Sequence, residues 1–230
     1  MKPPLILLHG AIGSASQFDS VSDLLSESFT NYTFDFEGHG RRAFNNREFR
    51  IEYFAENISE FIEENHLQPA NVFGYSMGGY VALYLAATRP EYIQRIYTVA
   101  TKFNWNVETA LKESAQLDPE KLKEKVPQFI HLLKERHIHG WAQNLKYTSE
   151  MILHLGNSPA LDNEVLNKVE ANCMITVGDS DNMVSQTETE NYASYIPNAN
   201  FKVLYNTKHP LEKLNAYLLK SELEKFFIEK

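Results

Sequence analysis

Ser76 sits in Gly74-Tyr75-Ser76-Met77-Gly78-Gly79, between the apolar run Asn71-Val72-Phe73 and the breaker-free stretch from Tyr80 to Ala87. An apolar strand, a tight turn and a helix are expected there, which makes this Gly-x-Ser-x-Gly a nucleophile elbow. Such a turn forces the serine into a strained backbone conformation and demands small neighbours, which Gly74, Gly78 and Gly79 are. The helix N-terminus then lies against the hydroxyl, where its dipole and free N–H groups favour developing negative charge. The plainer alternative is a glycine-rich turn with an inert serine. Partners elsewhere in the chain decide between the two.

A serine hydroxyl is a poor nucleophile until a base takes its proton, and at neutral pH histidine is the natural base. The base in turn needs a carboxylate to hold one tautomer. His209, in Asn206-Thr207-Lys208-His209-Pro210, is the only histidine in the last quarter of the chain. It falls between the final strand-like run and the final helical pattern; the bland alternative is a surface residue at a helix start. Gly178-Asp179-Ser180-Asp181 follows the run Cys173–Val177, and either aspartate could orient the imidazole. Asp181 is preferred, leaving Asp179 to support the turn or cap the next helix. A tetrahedral intermediate also needs two N–H donors. Met77 offers one from the elbow helix, and Ala11, in His9-Gly10-Ala11, is the expected second, with His9 shaping that loop.

The elements that must position these groups alternate. Strand-like runs at Leu5–Leu8, Tyr32–Phe36, Asn71–Phe73, Ile93–Val99, Cys173–Val177 and Phe201–Leu204 are separated by helical patterns. One helix is expected through Phe18 and Leu25, capped by Ser14 or Ser16. Another carries Ile51, Phe54, Ile58, Phe61 and Ile62, and a last one runs from Pro210 through Leu211, Leu214, Leu218 and Phe226. This alternation predicts an α/β fold with a mostly parallel sheet and helices on both faces. Between Thr101 and about Ala171 the rhythm breaks, with helical patterns only, at Leu122–His137 and Tyr147–Leu155 among others. A helical cap over the carboxyl edge of the sheet is expected for residues 102–171, with 1–101 and 172–230 as the core. An ordinary surface excursion is the alternative.

Composition sets the outer bounds. A chain of 230 residues with 43% hydrophobic and 23% charged residues suits one sizeable globular domain. A net charge of -8, with no basic tract, argues against nucleic acid or an anionic membrane as partner. The single cysteine, Cys173, permits no internal disulfide and suits a reducing compartment, and Leu5–Leu8 is too short for a leader or a membrane helix. A cytoplasmic location and a monomer or homodimer are expected.

His9-Gly10, Asp35-Phe36-Glu37-Gly38-His39-Gly40, the elbow, Gly178-Asp179-Ser180-Asp181 and His209 together resemble the α/β-hydrolase superfamily, in particular its small lidded members. The resemblance covers nearly the whole chain outside the 102–171 interval. It implies an α/β-hydrolase fold with a Ser76–His209–Asp181 triad, and oxyanion donors at Ala11 and Met77. The implied activity is carboxylesterase-like hydrolysis of an ester or related acyl bond in a small molecule, without a cofactor. Similar members with the same triad hydrolyse thioesters, carbon–carbon bonds or amides, or carry out an elimination in menaquinone biosynthesis, and some are idle ligand receptors. Haloalkane and epoxide hydrolases carry a carboxylate at the elbow, which Ser76 is not. The chain departs from the family's pattern in lacking the usual first hairpin, so about six strands are expected. Arg41 and Arg42 also stand where serine commonly follows Gly-His-Gly. Arg41 could bind a substrate carboxylate, against the plainer role of a solvated surface charge.

Ile12, Tyr75 and Met183 are further expected substrate contacts, and Phe103, Trp105, Phe129 and Trp141 either line an apolar pocket or hold the cap to the core. His137 and His139 have no carboxylate or cysteine cluster beside them and read as surface residues of the cap, so no metal is expected. Cys173 reads as a small core residue. No phosphate loop or dinucleotide fingerprint occurs.

Overall fold

The computed structural model describes residues 2–228. Six strands form one fully parallel sheet in the order β2-β1-β3-β4-β5-β6. They are β1 (Pro4–Leu8), β2 (Thr30–Phe34), β3 (Ala70–Tyr75), β4 (Ile93–Val99), β5 (Asn172–Gly178) and β6 (Ala199–Leu204). Each expected strand is present, although Asp35 and Phe36 belong to the loop after β2 rather than to the strand.

The continuous apolar runs arise because both faces of the sheet are covered. On β1, Leu5 and Leu7 pack into one core, with Phe18, Val21, Leu25, Leu219 and Leu223, while Ile6 and Leu8 pack into the other. The first core lies under α1 (Asp19–Leu25) and the C-terminal helix (Ala216–Phe227). The second lies under α2 (Ile51–Glu64) and α3 (Met77–Thr88). Helix α2 buries Ile51, Phe54, Ile58 and Ile62, the stripe read from the sequence, whereas α3 is buried nearly all round.

Five helices separate β4 from β5: α4 (Val107–Ser114), α5 (Pro119–Lys125), α6 (Pro127–Arg136), α7 (Trp141–Asn157) and α8 (Asn163–Leu166). The pattern at Leu122–His137 is two helices, because Pro127 cannot continue α5 and instead starts α6. Beyond β5, α9 (Gln186–Ala193) begins at Ser185, whose hydroxyl accepts from the Glu188 N–H. The last helix, α10, starts later than expected. Pro210 precedes only a single 3₁₀ turn, Leu214 is extended, and Asn215 caps Ala216–Phe227 by accepting from the N–H groups of Tyr217 and Leu218.

This strand order places the site. The chain passes from β1 to β2 on one side and returns to β3 on the other. The loops after β1 and β3 therefore open beside each other at the reversal, where ligands bind in open α/β sheets.

Candidate active site

Ser76 is the residue between β3 and α3, with φ 51° and ψ -116°. A non-glycine residue holds such a conformation only when its surroundings over-determine it. Here the Ser76 N–H donates to the Val99 carbonyl at 2.9 Å, and the Ser76 carbonyl accepts from Gly79 N–H at 3.0 Å and from the Thr101 hydroxyl at 3.1 Å. Strand and helix approach so closely that a Cβ on Gly74 would lie 2.5 Å from the Gly79 backbone. As the first residue of α3, Met77 has an N–H with no partner inside the helix.

His209 follows β6. Its Nδ1 lies 2.8 Å from Asp181 Oδ2, and the Tyr75 hydroxyl donates to the His209 carbonyl at 2.8 Å. The other Asp181 oxygen accepts from the N–H groups of Met183 and Val184, both at 2.8 Å. Burial pushes the Asp181 carboxyl up, but the His209 hydrogen bond and charge and the two N–H donors outweigh it and hold it below the ordinary carboxylate range. The Asp181 side chain is 1% exposed, so its charge is kept by these partners rather than by water. Asp179 instead accepts from the Thr207 N–H at 3.2 Å and joins the ends of β5 and β6.

After β1, Gly10 to Gly13 make a tight turn closed by Gly13 N–H on the Gly10 carbonyl at 3.1 Å, with Ile12 at φ 53°. His9, wholly buried, shapes this turn from behind. Its Nδ1 faces the Gly10 carbonyl at 2.8 Å, and its Nε2 accepts from the Phe36 N–H at 3.3 Å. Burial pushes the His9 pKa down to about 4, so the ring is neutral and one nitrogen is free to accept.

Two cavities meet at Ser76. The larger, about 290 Å³, is bordered by Ser76, His209, Ala11, Ile12, Tyr75 and Met183, with Phe129 and Arg136 from α6 and Ile152 from α7. The smaller, about 60 Å³, is bordered by Ser76, Ala11 and Met77, with Trp105 and apolar side chains of α7. Of the aromatic candidates, Trp105 and Phe129 face a cavity. Phe103 and Trp141 border neither. Phe103 is fully buried between Tyr80 and Tyr192, because its apolar ring fills the core beside α3. Trp141 packs with Ile130 and Leu133 under the ammonium groups of Lys123 and Lys134. Arg41 is exposed and borders neither cavity; its N–H donates to Asp35 and its carbonyl faces His139.

His137 departs most from the sequence reading. It is 3% exposed, with Nε2 2.9 Å from the Ile12 carbonyl and Nδ1 accepting from the Gly40 N–H at 3.1 Å. Neighbouring Arg136 donates to the same Ile12 carbonyl at 3.2 Å and pairs with Glu212 at 3.1 Å. The α6 end is thereby fastened to the loops after β1 and β2. A periodic signal for this existed, since His137, directly after α6, continues the helical spacing of the buried Ile130 and Leu133.

Among the described residues no group of three or more His, Cys, Asp or Glu side chains forms a metal cage, and no helix is long and apolar enough to cross a membrane. Cys173 is buried, its thiol pushed up to about 12 by burial.

A family model described as alpha/beta hydrolase fold matches residues 3–130. The chain belongs to the α/β-hydrolase fold family. This α/β hydrolase is 34% identical over 95 residues to a pimeloyl-[acyl-carrier protein] methyl ester esterase of Neisseria meningitidis serogroup B, a match covering 41% of the chain and 35% of that protein. The chain thus spans about a third of the length of the curated relatives it matches. Among solved structures, the α/β hydrolase superposes on a thermophilic esterase from Thermogutta terrifontis with a TM-score of 0.76 at 18% identity, covering 96% of this chain and 88% of that one. Carboxylesterase CesB from Bacillus subtilis gives a TM-score of 0.76 at 18% identity, covering 100% and 85%. At these identities the likeness is one of fold.

Proposed function

We propose that this chain is a serine hydrolase acting on an ester or related acyl bond of a small molecule. One observation carries the reading. The imidazole that borders the Ser76 cavity is held at Nδ1 by a buried carboxylate, 2.8 Å away, whose other oxygen is fixed by two backbone N–H groups. That leaves His209 Nε2 as its free nitrogen.

In this mechanism Ser76 Oγ attacks the carbonyl carbon as its proton passes to Nε2, and the carbonyl π electrons move to oxygen. The Ala11 and Met77 N–H groups stabilise that oxyanion. Asp181 holds the tautomer and stabilises the imidazolium. Collapse breaks the bond to the leaving group, which takes the proton from Nε2. Water, deprotonated by the same nitrogen, then attacks the acyl-enzyme and releases the acid and free Ser76. No cofactor enters any step. The helices α4–α8 act as a lid, since α4, α6 and α7 border the larger cavity and α7 the smaller. The esterase relatives are consistent with this chemistry.

The test is Ser76→Ala. The variant keeps its far-ultraviolet spectrum and thermal transition but loses hydrolysis of short p-nitrophenyl esters and labelling by a fluorophosphonate. A variant as active as wild type removes the proposal.

A further inference from the structure

The two cavities at Ser76 differ in which catalytic groups they touch. His209 borders only the larger one, and Met77 only the smaller; Ala11 and Ser76 border both. If Ser76, His209 and the oxyanion donors act as proposed above, on which this inference rests, the reaction itself decides which substrate half lies where. The leaving oxygen must reach the imidazole to receive its proton, so the alcohol half lies in the larger cavity. The acyl half then points into the smaller one, past Met77.

Their sizes and linings follow suit. A space of about 60 Å³ is roughly two water volumes and holds an acyl tail of about two or three carbons. Met151 and Leu155 of α7, both buried, line it together with Trp105. The larger space, about 290 Å³, is lined by Gln17, Glu113 and Arg136 as well as by apolar side chains such as Ile12, Leu117 and Phe129.

We propose that the preferred substrate is an ester of a short acyl acid, acetyl to butyryl, with a larger alcohol. Trp105, Met151 and Leu155 set the acyl length.

The experiment is kcat/KM across p-nitrophenyl esters from acetate to decanoate, on wild type, Trp105→Ala and Ser76→Ala. Wild type is expected to peak at acetate to butyrate and to fall at least 10-fold by octanoate. Trp105→Ala, at a partly exposed position that should not endanger folding, moves the peak to longer chains. A wild-type profile that is flat or rises to decanoate overturns the acyl assignment, while an inactive Ser76→Ala in the same assay leaves the serine-hydrolase reading standing. If Ser76→Ala retains turnover, that reading is what fails. For the alcohol side, kcat/KM for benzyl acetate should exceed that for ethyl acetate about 5-fold or more, through the larger apolar area buried. An equal or lower value overturns the assignment of the alcohol half to the larger cavity.

Discussion

The Nε2 of His137 lies 2.9 Å from the carbonyl oxygen of Ile12, which joins the end of α6 to the turn that carries Ala11. Ile12 is β-branched and sits at φ 53°, a conformation that costs about 1–3 kcal/mol and persists only when held from outside. The same imidazole accepts from the Gly40 N–H, so one ring pins two loops. His137→Phe keeps the ring's bulk but leaves the Gly40 N–H without its partner, at about 1–3 kcal/mol, and leaves the Ile12 carbonyl to Arg136 alone. The expected outcome is a urea midpoint lowered by the equivalent of about 1–3 kcal/mol, with kcat for acetate esters falling more than KM rises. His137→Gln, which retains a donor and an acceptor, should recover part of both. A variant matching wild type in midpoint and kcat would mean that the turn holds itself.

Three neutral imidazoles make stability depend on acid. Burial pushes His9 and His137 down to about 4 and His39 well below its ordinary value, and the rings lie 5.1 Å (His9–His39) and 5.8 Å (His39–His137) apart. Arg136 lowers His9 and His137 further, and Asp35, 3.9 Å from His9, opposes it. In the unfolded chain His9 and His137 take up protons near pH 6.5, whereas in the folded state they refuse them until about pH 4. Their contribution is therefore complete above the unfolded value and is lost as pH falls from about 6.5 to 4, with His39 acting in the same direction. By pH 5 the loss is on the order of 2 kcal/mol each for His9 and His137. Urea unfolding at pH 7.5, 6 and 5 checks this, and no change between pH 7.5 and 5 would contradict it.

The two aspartates after β5 should separate cleanly. Asp181→Asn removes the charge that orients His209, and kcat is expected to fall about 10³–10⁴-fold. Asp179→Asn only weakens the link to Thr207, and kcat should stay within about 3-fold. Steady-state rates on one ester substrate suffice, and the reverse order would reassign the acid.

The elbow stores strain that glycine would not. Ser76→Gly and Ser76→Ala both lack the hydroxyl, but only glycine adopts φ 51° and ψ -116° without penalty. Ser76→Gly should be about 1 kcal/mol more stable than Ser76→Ala by chemical denaturation, with neither hydrolysing esters. Equal stabilities would show that the turn relaxes in the alanine variant.

Much of this was legible before any coordinates. The central strands could be read because both their faces are covered, so β1, β3 and β5 carry largely apolar runs, whereas the edge strands β2 and β6 are only partly buried and carry polar residues such as Thr33 and Lys202. The elbow could be read because a strand–helix approach as close as that of Gly74 to Gly79 leaves a glycine signature. Missed were features whose cause lies far off in the chain. His137 looks like a surface histidine until the loops after β1 and β2 arrive at its two nitrogens from 125 and 97 residues away. Phe103 and Trp141 look like pocket residues because an aromatic ring suits a core and a cavity equally well.

The sequence by itself determined the α/β architecture, the turn at Ser76 and the placing of Asp181 and His209 in loops after later strands, because each depends on local backbone geometry or apolar periodicity. Only the tertiary structure decided that Asp181 rather than Asp179 bonds His209, that His209 and Met77 face different cavities, and which helical side chains enclose them. Those are properties of the distance between segments distant in the chain, and no local propensity encodes that distance.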